Sequence, residues 1–215
     1  AHRTKVEIKW IAAENLEVAA PASLLDGVDG ILIPGGFGER GFQGKINATN
    51  YARTKDIPFL GLGSLGMQCA IMEYARTVMK IDAGCVEVDP QTTEPVIVYL
   101  DKNGQPSNIM GDMRLGASTS VLSEDSLMAK IYGKAEIAER HRHRLEFNNK
   151  YKEQLEKAGM TISAVGKENG LADAVELKSH SWFIGCQFLP EYKSRPLKPH
   201  PLFSAFVEAM LKYRE

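Results

Sequence analysis

The stretch IPFLGLGSLGMQCAIMEYARTV, residues 57 to 78, puts a hydroxyl side chain, Ser64, at a glycine-rich break between an apolar strand run and an amphipathic helix run. Strand, tight turn and helix with a nucleophile at the corner is how acyl-transfer enzymes aim one side chain at a substrate carbonyl. A second glycine turn, IPGGFGERG (33 to 41), also follows an apolar run. In an open α/β sheet both turns fall at the carboxyl ends of strands, where sites form. A developing oxyanion needs two donors at about 2.7 to 3.1 Å, and the backbone N–H groups of Gly36 and Leu65 are the candidates. The late stretch WFIGCQFLPEYKSRP (182 to 196) carries Gln187, Leu189 and Pro190 past another strand end and adds a carboxylate, Glu191, at the same edge.

The elements that must hold these turns are legible as a rhythm. GILIPGG (30 to 36) reads as a buried strand, FQGKINATNYART (42 to 54) as a helix and IPFLGL (57 to 62) as the next strand. Such a βαβ order predicts an α/β fold, a mainly parallel central sheet with helices on both faces. In the helix after the corner, Leu65, Cys69, Met72 and Ala75 recur at helical spacing and belong to the core. Residues 81 to 120 are more strand-like, with PVIVYL and GDMRLGAS, and YKEQLEKAG is a helix closed by glycine. TISAVGK, DAVELK and WFIGCQF are three strands in succession, and PLFSAFVEAMLKYR (201 to 214) is a closing helix. The opening residues TKVEIKWIAAENLE could start a strand, or belong to a βα unit that lacks its first half in a piece of a longer chain.

Bulk properties narrow the chemistry. The 215 residues are 44% hydrophobic and 25% charged, enough for one domain with a full core. A formal net charge of −1 with no long Lys/Arg tract leaves no footprint for nucleic acid or an anionic membrane. No run of about 18 apolar residues suits a membrane span, and the charged start is unlike a signal peptide, so a soluble cytoplasmic protein is expected. Cys69, Cys85 and Cys186 are odd in number and scattered, which reads as three reduced packing residues rather than a disulfide framework or zinc site.

Four motifs together, IPGGFGERG, SLGMQCAIMEYAR, ERHRHRLEFNN (139 to 149) and QFLPEYKSRP, resemble the class I glutamine amidotransferase domain of the CTP synthase family, from about residue 29 to 212. The resemblance implies a single flavodoxin-like domain over 1–215. It also implies a glutaminase that attacks L-glutamine through a cysteine, forms a γ-glutamyl thioester and passes ammonia to a synthetase domain. That N-terminal partner domain, absent from this chain, would use ATP and Mg²⁺ to aminate UTP to CTP, and the full enzyme would respond to GTP as an allosteric effector and assemble as a homotetramer. The amidotransferase domain itself is expected to need no cofactor and no metal. Carried over residue by residue, the resemblance places Ser64 or Gly63 at the nucleophile position, Leu189 at the base position and Glu191 as the acid. Gly36 and Leu65 stand at the oxyanion hole. Gly35, Gly36, Phe37, Leu65, Gly66, Met67, Gln68, Glu87 and Arg144 would bind the glutamine, Glu87 through its α-amino group.

The departures from the family pattern carry chemical weight. Gly-x-Cys-Leu-Gly-Met-Gln appears as GLGSLGMQ, so the pair Gly63 and Ser64 occupies the place of one cysteine. That is either a modified nucleophile written as two residues or an insertion with a substitution. The family's histidine in QFHPE is Leu189, which cannot accept a proton, and a serine without a base is a poor nucleophile at neutral pH. His180 stands nine residues before Leu189, roughly 30 Å away along an extended chain, and His2, His141, His143 and His200 do not match a base position. A serine hydrolase therefore lacks its base. The sequence supports a CTP synthase glutaminase domain or, with Ser64 and Leu189 as they stand, a catalytically impaired domain that binds glutamine as a scaffold or regulator. GDMRLG (111 to 116) is one residue shorter than the family's loop, and Leu145 replaces an aromatic residue.

Overall fold

The computed structural model describes residues 2–215. After an extended start come two short helices, α1 (Asn15–Val18) and α2 (Pro21–Leu25). Strand β1 (Ile31–Ile33), helix α3 (Phe42–Thr54), strand β2 (Phe59–Gly61) and helix α4 (Gly63–Thr77) then form the expected βαβα run. Next are β3 (Ala83–Cys85), β4 (Glu94–Leu100), β5 (Pro106–Ser107), β6 (Arg114–Leu122), α5 (Leu127–Tyr132), β7 (Glu136–His143) and β8 (Leu145–Phe147). The chain ends with α6 (Lys152–Ala158), β9 (Met160–Gly166), β10 (Ala172–Leu177), β11 (Phe183–Cys186) and α7 (Pro201–Arg214).

Seven strands make the main sheet in the order β1-β2-β11-β10-β9-β6-β7. β1 pairs parallel to β2, and β2 parallel to β11. The other four pairings are antiparallel. The α/β class and the helices on both faces are as read from the sequence, but the parallel part is confined to the three strands whose ends carry the site. The cause is loop length: β9, β10 and β11 follow one another through short links, whereas a parallel return needs a crossover of about a dozen residues or more. A smaller sheet holds β3 parallel to β4, with β5 and β8 antiparallel to β4.

Alternation along the central strands divides the core. Phe59 and Phe183 point to one face, stacked at 4.4 Å, with Ile31, Ile33 and the apolar residues of α3 and α4. Leu60 and Ile184 point to the other, against Leu202 and Phe206 of α7 and Met128 of α5. Helix α4 is buried along its whole length from Gly63 to Ala75, as a helix surrounded by other elements must be. It is tied to α3 by a buried ion pair: Arg53 Nε and Nη2 donate to Glu73 at 2.7 and 2.8 Å, and Asn50 and Thr77 donate to the same carboxylate. The expected strand at the start of the chain is not formed. Val6, Ile8 and Trp10 alternate in sequence yet lie exposed, because no neighbouring strand meets their backbone groups. No helix of the described residues is long and apolar enough to cross a membrane.

Candidate active site

Because β1, β2 and β11 are parallel neighbours, their carboxyl ends bring Gly35, Gly63 and Leu189 to one edge. Backbone hydrogen bonds fix the junction: Leu62 N–H donates to Ile33 O at 2.8 Å and Gly63 N–H to Phe188 O at 3.1 Å. The chain turns from β2 into α4 so tightly that a methyl group on Gly66 would lie 2.5 Å from the Gly61 carbonyl carbon and 2.9 Å from Ile33 O. Only glycine permits that approach.

The corner itself is Gly63, with a left-handed φ of 63°, the strained backbone that an elbow nucleophile adopts. A methyl group built there would stand 2.8 Å from Leu189 Cδ2 and 3.1 Å from Gly35 Cα, and one on Gly35 would stand 2.7 Å from the same Leu189 carbon. Positions 63 and 189 thus face each other as a nucleophile and its base would, while carrying neither group. The expectation that Ser64 holds the corner is corrected accordingly. Ser64 lies one residue into the helix and is buried, its Oγ accepting from Gln68 Nε2 and reaching Leu145 O at 3.5 Å. The core already holds α4 in register, so the extra residue is taken up at its first turn.

No other side chain fills the two roles among the described residues. Burial pushes the Cys69 thiol up to about 12 and Cys85 up to about 11, and raises Cys186 well above its ordinary value, so all three free cysteines are inert packing residues. His143 shares the Leu145 carbonyl with Ser64, but its Nδ1 lies 3.1 Å from Leu145 O and its Nε2 lies 2.9 Å from His141 Nδ1. This pattern assigns the proton to His143 Nδ1 and leaves no lone pair for Ser64. His180 is engaged with Ala52 O and Trp182 N–H, and His200 with Glu139.

Around the corner the binding features are present. Among the described residues the amides of Gly36 and Leu65 donate to no protein acceptor, and a methyl group on Gly36 would lie 3.1 Å from Leu65 Cδ2, so the glycine turn packs against the Leu65 side chain. Glu87 Oε2 accepts from Gly38 N–H at 2.9 Å, which docks its carboxylate onto the glycine turn. Arg144 is half-buried and, among the described residues, has no ion-pair partner. Phe37 is exposed, with the Arg142 guanidinium 5.7 Å over its ring. Glu191 is exposed beyond Leu189 and likewise unpaired. Met67 and Gln68 differ from expectation: Met67 is packed in the core, and the Gln68 amide is turned to Ser64. Tyr99, not singled out from the sequence, is a buried ring whose hydroxyl feels both the Glu87 and Arg144 charges. Its place in the alternating run PVIVYL was the available signal.

Behind the edge lies a buried polar cluster. The Leu145 carbonyl accepts from Gln187 Nε2 at 3.1 Å as well as from His143. The Glu146 carboxylate accepts from Gln187 Nε2 at 3.0 Å and lies 3.3 Å from His143 Nδ1 and 3.8 Å from Arg114 Nη1. Arg114 is held by Asp173 at 2.7 and 3.1 Å, and Ser120 Oγ donates to the same carboxylate at 2.6 Å. Desolvation pushes Glu146 up to about 7 against the pull of Arg114, and holds His141 and His143 down to about 3, so both imidazoles are neutral.

The family model of class I glutamine amidotransferases matches residues 1–209. A CTP synthase of Herpetosiphon aurantiacus is 49% identical over 213 residues, 99% of this chain and 40% of that protein. A CTP synthase of Methanococcus maripaludis is 47% identical over 215 residues, again 40% of its length. The chain therefore spans about 40% of the length of these curated relatives. The solved glutaminase domain of Trypanosoma brucei CTPS with bound acivicin superposes with a TM-score of 0.89 at 38% identity, covering 98% of this chain and 82% of that one. With its glycine corner, paired strand-end turns and matching motifs, the chain belongs to the class I glutamine amidotransferase family and is the counterpart of the glutaminase domain of CTP synthases.

Proposed function

We propose that residues 1–215 are the glutamine-handling domain of a CTP synthase, built to bind L-glutamine at the edge of β1, β2 and β11 and to supply ammonia to a synthetase domain of the same polypeptide. In that reaction a cysteine thiolate at the corner attacks the side-chain amide carbon and ammonia leaves on a proton delivered by a histidine. Water then hydrolyses the γ-glutamyl thioester to glutamate. Gly36 and Leu65 amides would receive the oxyanion of both tetrahedral intermediates. Arg144 would pair with the α-carboxylate and Glu87 with the α-amino group, which suits a zwitterionic amino acid. ATP, Mg²⁺, UTP and the response to GTP belong in this proposal to the synthetase part and the tetrameric whole enzyme.

In this sequence the pocket is kept and the cleavage step is disarmed. The observation that carries this reading is Leu189 packed against the bare Cα of Gly63, apolar carbon where proton transfer is required. Losing a nucleophile or base costs about 10⁶ in kcat in a serine protease, so hydrolysis by this chain falls to background while binding persists. Isothermal titration with L-glutamine, paired with an ammonia-release assay, tests both halves. Heat of binding without ammonia supports the proposal, and ammonia release at ordinary enzyme rates or absence of binding overturns it.

A further inference from the structure

The Leu145 carbonyl and the Glu146 carboxylate, consecutive in β8, are held by the same two side chains. His143 Nδ1 faces both, at 3.1 and 3.3 Å, and Gln187 Nε2 donates to both, at 3.1 and 3.0 Å. Since the Gln187 nitrogen meets two acceptors, its amide orientation is settled by chemistry rather than by choice. The donors arrive from different elements, His143 from the end of β7 and Gln187 from the strand end that leads to Leu189. Gln187 N–H in turn donates to Asp173 O at 2.8 Å, and Asp173 holds Arg114. On its outer side the Leu145 carbonyl is reached by Ser64 Oγ of the first turn of α4. Arg144 is the single residue between β7 and β8, half-buried between the buried His143 and Leu145.

We propose that Glu146 is a positioning residue of this site: clamped with the Leu145 carbonyl by His143 and Gln187, it sets the placement of Arg144 and of the first turn of α4, whose free amides line the pocket. The proposal deepens the glutamine-binding reading and rests on it for the identity of the ligand. Glu146 touches no substrate. It acts by holding the link between β7 and β8, which carries Arg144, in place beside the corner, and its neighbours are almost all donors, so the ionised form closes the clamp and the protonated form opens one arm. Burial brings that change to about pH 7. The charged and titratable groups facing Glu146 are Arg114 from β6, His141 and His143 from β7 and Asp173 from β10. Of these the histidines stay neutral down to about pH 3, and Arg114 donates to Asp173 at 2.7 and 3.1 Å.

The test is a ¹H–¹⁵N NMR titration of the protein from pH 5.5 to 8.5, followed at the amides of Ser64, Leu65 and Arg144, with Glu146→Gln as the variant. In the unaltered protein the three amides are expected to shift together with one midpoint near 7, and the variant abolishes that titration while keeping a dispersed, folded spectrum. L-glutamine affinity falls about 10-fold in Glu146→Gln. A merely structural role would not show the shared midpoint. Amides that do not titrate in the unaltered protein overturn the proposal without any variant. If they titrate together and L-glutamine does not bind, the positioning of α4 and Arg144 by Glu146 stands and the glutamine reading falls.

Discussion

Leu189 Cδ2 occupies the space into which a side chain at Gly63 would grow, 2.8 Å from where its Cβ would stand. The two residues pack against each other across the strand-end edge, so neither can be changed alone. Gly63→Cys in the parent chain adds left-handed strain and a clash with Leu189, and is expected to destabilise the fold by about 1–3 kcal/mol. Leu189→His alone supplies a base with nothing to deprotonate. The combination Gly63→Cys/Leu189→His with Ser64 deleted is expected to raise ammonia release from glutamine by about 10³-fold or more over the parent. Steady-state assays of the three proteins check this, and equal rates for all would show that the corner is not the seat of hydrolysis.

If Arg144 pairs with the α-carboxylate as proposed, removing its guanidinium should weaken binding without touching the core. Arg144→Ala is expected to raise the Kd for L-glutamine about 10- to 100-fold, the range for loss of a charge-assisted hydrogen bond. Its melting temperature should stay within about 2 °C of the parent, since Arg144 has no partner among the described residues. Calorimetric titration and a thermal scan on the same sample measure both, and an unchanged Kd would remove Arg144 from the pocket.

The Arg53–Glu73 pair joins α3 to α4 in the interior. Glu73→Ala strands a buried guanidinium and two further donors, and breaking such a pair costs about 3–5 kcal/mol. Chemical denaturation should show that loss as a lower midpoint with an unchanged slope. A loss below 1 kcal/mol would mean that Arg53 swings to solvent freely.

Stability should depend on pH through groups of opposite sign. His141 and His143 bind fewer protons folded than unfolded between pH 6.5 and about 3, so their contribution is full above 6.5 and is lost as pH falls. Glu146 binds more protons folded than unfolded between 4.5 and about 7, so its contribution is present at low pH and is lost as pH rises through 7. Two histidines outweigh one carboxyl on the acid side, which places the maximum near neutrality. Thermal scans should show the melting temperature falling below pH 6.5. In Glu146→Gln the acid slope should steepen and the shallow decline between pH 6.5 and about 7 should vanish. A flat profile from pH 5 to 8 would show that these groups are solvated.

Much of this architecture was legible because it is local. The helices at 42 to 54 and 201 to 214 end where their apolar period and flanking residues say they should, and the strand–glycine–helix pattern at 59 to 77 announces a corner. What could not be read depends on contacts far apart in the chain. The antiparallel turn of the sheet beyond β11 follows from link lengths, but strand neighbours such as β6 and β9 leave no period to detect. The shift of the corner from Ser64 to Gly63 depends on how α4 is gripped along its length. The clamp on Leu145 and Glu146 joins residues about 40 positions apart in sequence. Gln187 and Glu146 look like ordinary polar residues until the strands close around them.

The burial of α4 on all sides has a consequence for how this family can vary. Each residue of a helix turns the chain by about 100°, so one added inside Gly63–Ala75 would rotate every later side chain by that angle and swing Glu73 out of reach of Arg53. Such an insertion would have to be compensated around the whole circumference at once. At the N-terminal end the same addition needs only a local change in the turn, because nothing upstream shares the helical phase. Length variation is therefore channelled to the N-terminal end of this helix, beside the corner at Gly63, and the element least free to drift in sequence leaves that end the most exposed to change.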